Sequence, residues 1–180
     1  MNKVAIFGNT GAGKSTLAKA LSDITGIPLI TIDKIMYRTG GEKVPHADYI
    51  RTHANVLNNS TWIIDGFGCV PSAWERFSVA DTLIYIDLPL HVHFAWVTKR
   101  FFKGLFVNPA GWPERSPIIR STITSYRVLW LCNQKLTPRY RQLVSESADE
   151  KEVFHLQSPQ AIRDFLDTMS SSEDVFTRDA

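Results

Sequence analysis

Cysteine is scarce in this chain: 180 residues contain two, Cys69 and Cys132. They form no CxxC pair and no zinc-like spacing, which excludes a disulfide scaffold and a structural zinc site. Both thiols read as unpaired in a reducing compartment. Long apolar runs are missing as well. None approaches the roughly 18 residues needed to span a bilayer. The first, "VAIF", runs into Gly8 too soon for a secretory signal. A strong charge of one sign is also absent: the net charge is +2 and the pI is near 8.6. That argues against a nucleic-acid partner, and the one dense basic cluster, "PRYRQ" around Arg139, is short. There is no internal repeat and no low-complexity tract. These absences point to a cytoplasmic protein with no membrane partner.

What is present is ordinary globular composition, 44% hydrophobic and 21% charged, at a length that suggests one domain. Met1 to Phe7 reads as a buried strand, and a helix begins at Lys14 with Leu17, Leu21 and Ile24 on one face, stopped by Gly26 and Pro28. "PLITID", "WIID", "TLIYID" and "EVFHL" read as four further strands, the first three ending at Asp33, Asp65 and Asp87. Helices are expected over Pro45–Leu57, His91–Phe102 and Ile118–Cys132, with a shorter one before "EVFHL". Ser158 is expected to cap a last helix with Pro159 at its first position. The polar stretch 170–180 reads as a frayed tail. Apolar strands alternating with helices predict an α/β protein, a parallel sheet covered on both faces. Ligands then gather beyond the carboxyl ends of the strands, where the three aspartates fall.

The sharpest signal is "GNTGAGKST", in which Gly8, Gly13, Lys14 and Ser15 satisfy G-x-x-x-x-G-K-[ST] between a strand and a helix. Glycines let backbone N–H groups turn inward around phosphates, and the helix start adds its own free N–H groups. The motif therefore assigns Gly8, Asn9, Thr10, Gly11, Ala12, Gly13, Lys14, Ser15 and Thr16 to the phosphates of ATP. Lys14 reaches the β and γ phosphates, Ser15 ligates Mg2+, and Thr16 lies beside the α phosphate. Asp65, ending an apolar strand, is the expected second anchor for the metal, held through water. Asp87 is expected to be a helix cap. His91 and His93 lie two apart on a helix, point to different sides and make a poor metal pair.

The loop together with "DK" after the second strand, "WIIDGF", "ADTLIYIDLP" and the helix-ending "KR" resembles the adenylate-kinase-like P-loop kinases. Within them the chain is most similar to a bacterial group labelled DNA topology modulation proteins or adenylate kinases. The resemblance runs from Lys3 to about Met169. It implies a three-layer α/β/α P-loop NTPase fold with a five-stranded parallel sheet in order 2-3-1-4-5. It also implies one kinase domain over 1–169, a substrate-binding segment at about 33–60, and a lid over 101–117. Arg100, Arg115, Arg120 and Arg127 are by position the arginines that would close on the transferring phosphoryl group. Arg120 and Arg127, two turns apart, share a helix face. "FFKGLF" and Trp112 read equally as a lid that excludes water or one that packs on a partner subunit.

The chain departs from adenylate kinases at "DGFGC": Cys69 stands where "DGFPR" places the arginine that grips AMP. Only Arg38 and Arg51 remain near the acceptor for an anion. In shikimate- and gluconate-like kinases an aspartate after the second strand contacts the acceptor hydroxyl. Asp33 matches that position, and a plain strand-end cap is the alternative. The resulting expectation is an ATP- and Mg2+-dependent phosphotransferase acting on a small-molecule acceptor, either a nucleotide or a hydroxyl metabolite. Lys14, Asp33, Arg100, Arg120 and Arg127 are its candidate catalytic residues. The rival is an ATP-binding regulator that acts on DNA topology or a protein partner and has no small acceptor.

Overall fold

A computed structural model describes residues 1–39, 41–104 and 118–178, without the side chains of residues 100, 103–104, 118–123 and 172–178. Its centre is a five-stranded sheet, β1 (Lys3–Gly8), β2 (Leu29–Thr31), β3 (Trp62–Asp65), β4 (Thr82–Ile86) and β5 (Glu152–Leu156), in the order β2-β3-β1-β4-β5. Every pairing is parallel: Ile6 lies opposite Asp65 on one side of β1 and Ile84 on the other. Helices cover both faces, giving the three-layer α/β/α P-loop fold expected from the sequence.

Alternation along β1 sorts the core. Val4 and Ile6 face α1 (Lys14–Thr25) and α8 (Pro159–Arg178) and pack with Leu17, Leu21 and Phe165. Ala5 and Phe7 face the other way. They join Tyr49 of α3 (His46–Leu57), Phe77 of α4 (Val70–Val79) and Tyr140 of α7 (Thr137–Ser147). Phe7 sits in an aromatic cluster, 4.5 Å from the Phe77 ring and 5.1 Å from both Tyr85 and Tyr140. The central strands are thus apolar on both faces, which is what a doubly covered parallel sheet requires.

Three elements differ from the sequence reading. The second strand stops at Thr31, and Ile32–Met36 form a short helix, α2, so that Asp33 sits in a helical first turn rather than at a strand end. The cause is packing: Ile32 is buried against Gly66, where a Cβ would come within 2.9 Å of the Ile32 Cβ, and the Tyr37 amide closes back on the Asp33 carbonyl at 3.0 Å. Helix α4, with Pro71 in its first turn, was not anticipated. Helix α8 continues through Arg178, across most of the stretch read as a tail. Its start is as expected, with Ser158 Oγ accepting from the Ala161 amide at 3.0 Å. Two further helices, α5 (Leu90–Gly104) and α6 (Ile118–Lys135), flank residues 105–117. They pack through Phe94 stacked on Tyr126, 5.6 Å between centroids. No described helix is long and apolar enough to cross a membrane.

Candidate functional site

The loop between β1 and α1 closes around its own polar groups. Gly13 caps α1 at φ 81°, a conformation that glycine adopts without a Cβ penalty. A Cβ there would also press to 3.0 Å from the Trp96 ring of α5. Asn9 is buried and ties the start of the loop to α6. Its Oδ1 accepts from the Thr10 amide at 2.7 Å, and its Nδ2 donates to the Leu129 carbonyl of α6 at 3.0 Å. The Lys14 ammonium reaches across to the Asn9 carbonyl at 2.8 Å.

The two residues expected to hold the metal lie together. Ser15 Oγ donates to Asp65 Oδ2 at 2.6 Å. Asp65 is 3% exposed, and its other carboxylate oxygen, Oδ1, has no hydrogen-bond partner among the described residues. A buried anionic oxygen without a donor is costly, and a hydrated magnesium ion would supply the missing partner. The donor set suits that ion: a hydroxyl and a carboxylate, both hard oxygens. The residues present therefore fit a magnesium–triphosphate group.

Asp33 opens to solvent at the edge of the same cleft. Loss of hydration on its inner side raises its carboxyl above the usual range, the Asp65 charge adds to this, and Lys14 opposes it. Asp33, Asp65 and Lys14 thus form one electrostatic cluster. His93 of α5 is buried beside the loop. Burial first, then the Lys14 charge, lowers its pKa and keeps it neutral. Exposed His91 does not converge with it, and the described residues contain no cluster of three metal-ligating side chains.

Arg127 is exposed on α6. The side chains of Arg100, Arg115 and Arg120, and most of the segment 101–117, lie outside the described residues. Arg38 and Arg51 are exposed and paired, Arg51 with Asp48 at 2.8 Å and Arg38 with Glu42 at 4.0 Å.

Asp87 is not a helix cap. Its carboxylate accepts Arg141 Nε at 2.7 Å and Nη2 at 3.1 Å, and His155 Nε2 lies 3.0 Å away, so it ties β4 to β5 and α7. The cap reading failed because its partners arrive from 54 and 68 residues along the chain.

Arg76 was missed altogether. It is wholly buried in α4, and its Nη2 donates to the Gly66 carbonyl at 2.8 Å and more weakly to Phe67 at 3.4 Å. Its Nε and Nη1 have no hydrogen-bond partner among the described residues. Desolvation pushes its pKa down to about 10, against the nearby Tyr49, Tyr140 and Asp65. It grips the backbone that links Asp65 to α4. A signal was present in "PSAWERF": Ser72, Ala73, Arg76 and Phe77 share one helix face with Arg76 in its middle.

No protein-family model matches the chain, and no curated protein does. Among solved structures, 205 chains match. One is a shikimate kinase from Acinetobacter baumannii in complex with shikimate, at a TM-score of 0.58 and 16% identity, covering 94% of this chain and 90% of that one. Another is an unliganded sugar kinase from a Janibacter species, at a TM-score of 0.47 and 16% identity with the same coverage. At this identity the likeness is one of fold. The narrower bacterial group suggested by "WIIDG" and "ADTLIYIDLP" gains no support from these comparisons.

Proposed function

We propose that the chain is an ATP- and Mg2+-dependent phosphotransferase acting on the hydroxyl of a small molecule. The observation that carries this is the Ser15–Asp65 bond at 2.6 Å with the buried Asp65 Oδ1 left unpartnered among the described residues, beside a phosphate loop and within the field of Asp33. A phosphate sensor needs the loop. A second carboxylate across the metal site has a use when an acceptor must be aligned. A kinase holding shikimate shares the fold, which agrees with a small-molecule acceptor.

Magnesium bound with the triphosphate would spread and neutralise charge on the transferring group. The chain's own part is positioning. Loop N–H groups and Lys14 bind the phosphates, with Lys14 exchanging the Asn9 carbonyl for phosphate oxygens. Ser15 and Asp65 hold the metal. Asp33 would accept the hydrogen bond of the acceptor hydroxyl and take its proton as the hydroxyl oxygen bonds to the γ phosphorus, the bond from that phosphorus to the bridging oxygen breaks, and ADP leaves. The raised pKa of Asp33 makes it a better base than an ordinary aspartate. Residues 1–169 act as one domain in this reading, with acceptor recognition over about 33–60 and closure by 101–117. An arginine at 100, 120 or 127 is the proposed cation on the transferring phosphoryl group.

Cys69 and the surface pairing of Arg38 and Arg51 favour a hydroxyl metabolite over AMP. The test is ATP turnover against a panel of nucleoside monophosphates and small hydroxylated metabolites. Turnover that rises sharply with one hydroxyl metabolite supports the proposal. ATP bound but never stimulated by any acceptor would sink it.

A further inference from the structure

A wholly buried arginine is an unusual filling for the face of α4. Among the described residues the Arg76 guanidinium hydrogen-bonds through Nη2, to the carbonyls of Gly66 and Phe67 at 2.8 and 3.4 Å, while Nε and Nη1 have no partner. An apolar side chain of similar size would pack beside Ala73 and Phe77 without giving up hydration. Replacements of that kind are often neutral or stabilising. Stability of the interior therefore does not account for an arginine at this position, whereas the backbone it holds does.

The two carbonyls belong to the segment between the metal anchor and α4. Asp65 immediately precedes Gly66, and Thr31 lies opposite Asp65 in the parallel register. The chain leaving β3 and the chain entering α2 thus leave the sheet side by side. They also touch: a Cβ on Gly66 would come within 2.9 Å of the Ile32 Cβ, and one on Gly68 within 3.1 Å of the Ile32 Cγ2. Ile32 is wholly buried, and the next residue is Asp33. Gly66 and Gly68 stand at φ 108° and 73°, where glycine has wide freedom, so the path of this segment is set by what grips it. The Gly68 end is closed by the Tyr49 hydroxyl, itself bonded to Ser72 at 2.7 Å. The Gly66 end is held by Arg76. Burial raises the Asp33 pKa and the Asp65 charge raises it further, so the two carboxylates lie within each other's field.

We infer that Arg76 is a positioning residue: by holding the Gly66 and Phe67 carbonyls it fixes Asp33 relative to Asp65, and so the acceptor hydroxyl relative to the metal-bound triphosphate. This rests on the phosphotransferase reading of the same cleft. Arg76 is buried away from any substrate and acts through the backbone.

The experiment compares the parent, Arg76→Lys and Arg76→Met as full chains, and repeats Arg76→Met in the Asp33→Asn background. Calorimetry gives ATP affinity with and without magnesium. Turnover is measured well below each thermal midpoint, with the hydroxyl acceptor that ranks first in the panel. Arg76→Met should raise the magnesium concentration for half-maximal ATP binding about tenfold. It should lower kcat at least about tenfold, and leave ATP affinity without magnesium within a few-fold of the parent's. Arg76→Lys, which keeps a donor for one carbonyl, should fall between the two. In the Asp33→Asn background Arg76→Met should lower kcat much less, because the base whose place it sets is gone. A folded Arg76→Met with parent-like magnesium dependence or kcat overturns the inference. So do equal losses in the two backgrounds, a lysine variant no better than the methionine one, or weakened ATP binding without magnesium, which would mark damage to the phosphate loop. If neither variant folds, Arg76 serves the fold rather than the site and the inference fails. A parent stimulated by no acceptor would instead remove the phosphotransferase reading, and this inference with it.

Discussion

Ser15 and Asp65 are 50 residues apart in the chain, yet the serine hydroxyl donates to the carboxylate at 2.6 Å. The parallel register sets this distance, because Asp65 stands opposite Ile6 two residues before the phosphate loop opens. The pair is closed, and an incoming cation would have to share the carboxylate. Asp65→Asn keeps the shape and removes the charge. The magnesium concentration needed for half-maximal ATP binding should rise at least about tenfold, with little change in ATP binding when magnesium is absent. An unaltered magnesium dependence would remove Asp65 from the metal site.

Lys14→Ala removes the charge that spans the loop to the Asn9 carbonyl. The loop N–H groups and Asn9 remain, so the melting temperature should stay near the parent's. Nucleotide affinity or turnover should drop by at least about an order of magnitude. Parent-like ATP binding in this variant would contradict the phosphate-loop assignment.

Asp33→Asn separates function from stability. The folded state raises the Asp33 pKa, so it holds the proton more tightly than the unfolded chain does. Stability from this group is therefore full below the unfolded pKa and is lost as pH rises through the raised value. At neutral pH the parent carries an ionised Asp33 against that preference and the amide does not. We expect acceptor-stimulated turnover to fall at least about 100-fold while the thermal midpoint at pH 7 stays level or rises. A clear loss of stability would mark Asp33 as a structural cap.

Asp87 gives the opposite pH signature. Burial alone would raise its carboxyl, but its bonds to Arg141 and His155 outweigh that and hold it below the usual range. Its stabilisation is present above the unfolded value of 3.8 and is lost as pH falls through the lower folded value. Asp87→Asn should cost about 2 kcal/mol at pH 7 in urea unfolding, and the difference from the parent should shrink below pH 3.8. A gap that is constant with pH would point to lost packing rather than lost charge.

Cys69 leaves the acceptor side without the arginine that adenylate kinases carry there, and Arg51 and Arg38 are engaged with Asp48 and Glu42. AMP should therefore stimulate little ATP consumption compared with the best hydroxyl acceptor. A panel assay in which AMP ranks first would show that these exposed pairs release their arginines on binding.

Some of this protein is determined within short stretches of chain. The loop from Gly8 to Thr16 is set by its own glycines, lysine and hydroxyls, through local backbone geometry. The apolar strands and the Ser158–Pro159 helix start are likewise set by neighbours a few residues away. The sheet order was implied by family resemblance. The remainder depended on which side of each helix turned inward, and sequence spacing alone does not specify that. Asp87 binds Arg141 and His155 because β5 and α7 close over the end of β4. Arg76 is drawn into the interior because α4 must bury Ala73 and Phe77 beside it. Trp96 rests on the phosphate loop because Gly13 leaves room for an indole there. In each case the side chain's role is set by contacts between elements far apart in sequence, and only packing the whole sheet brings them together.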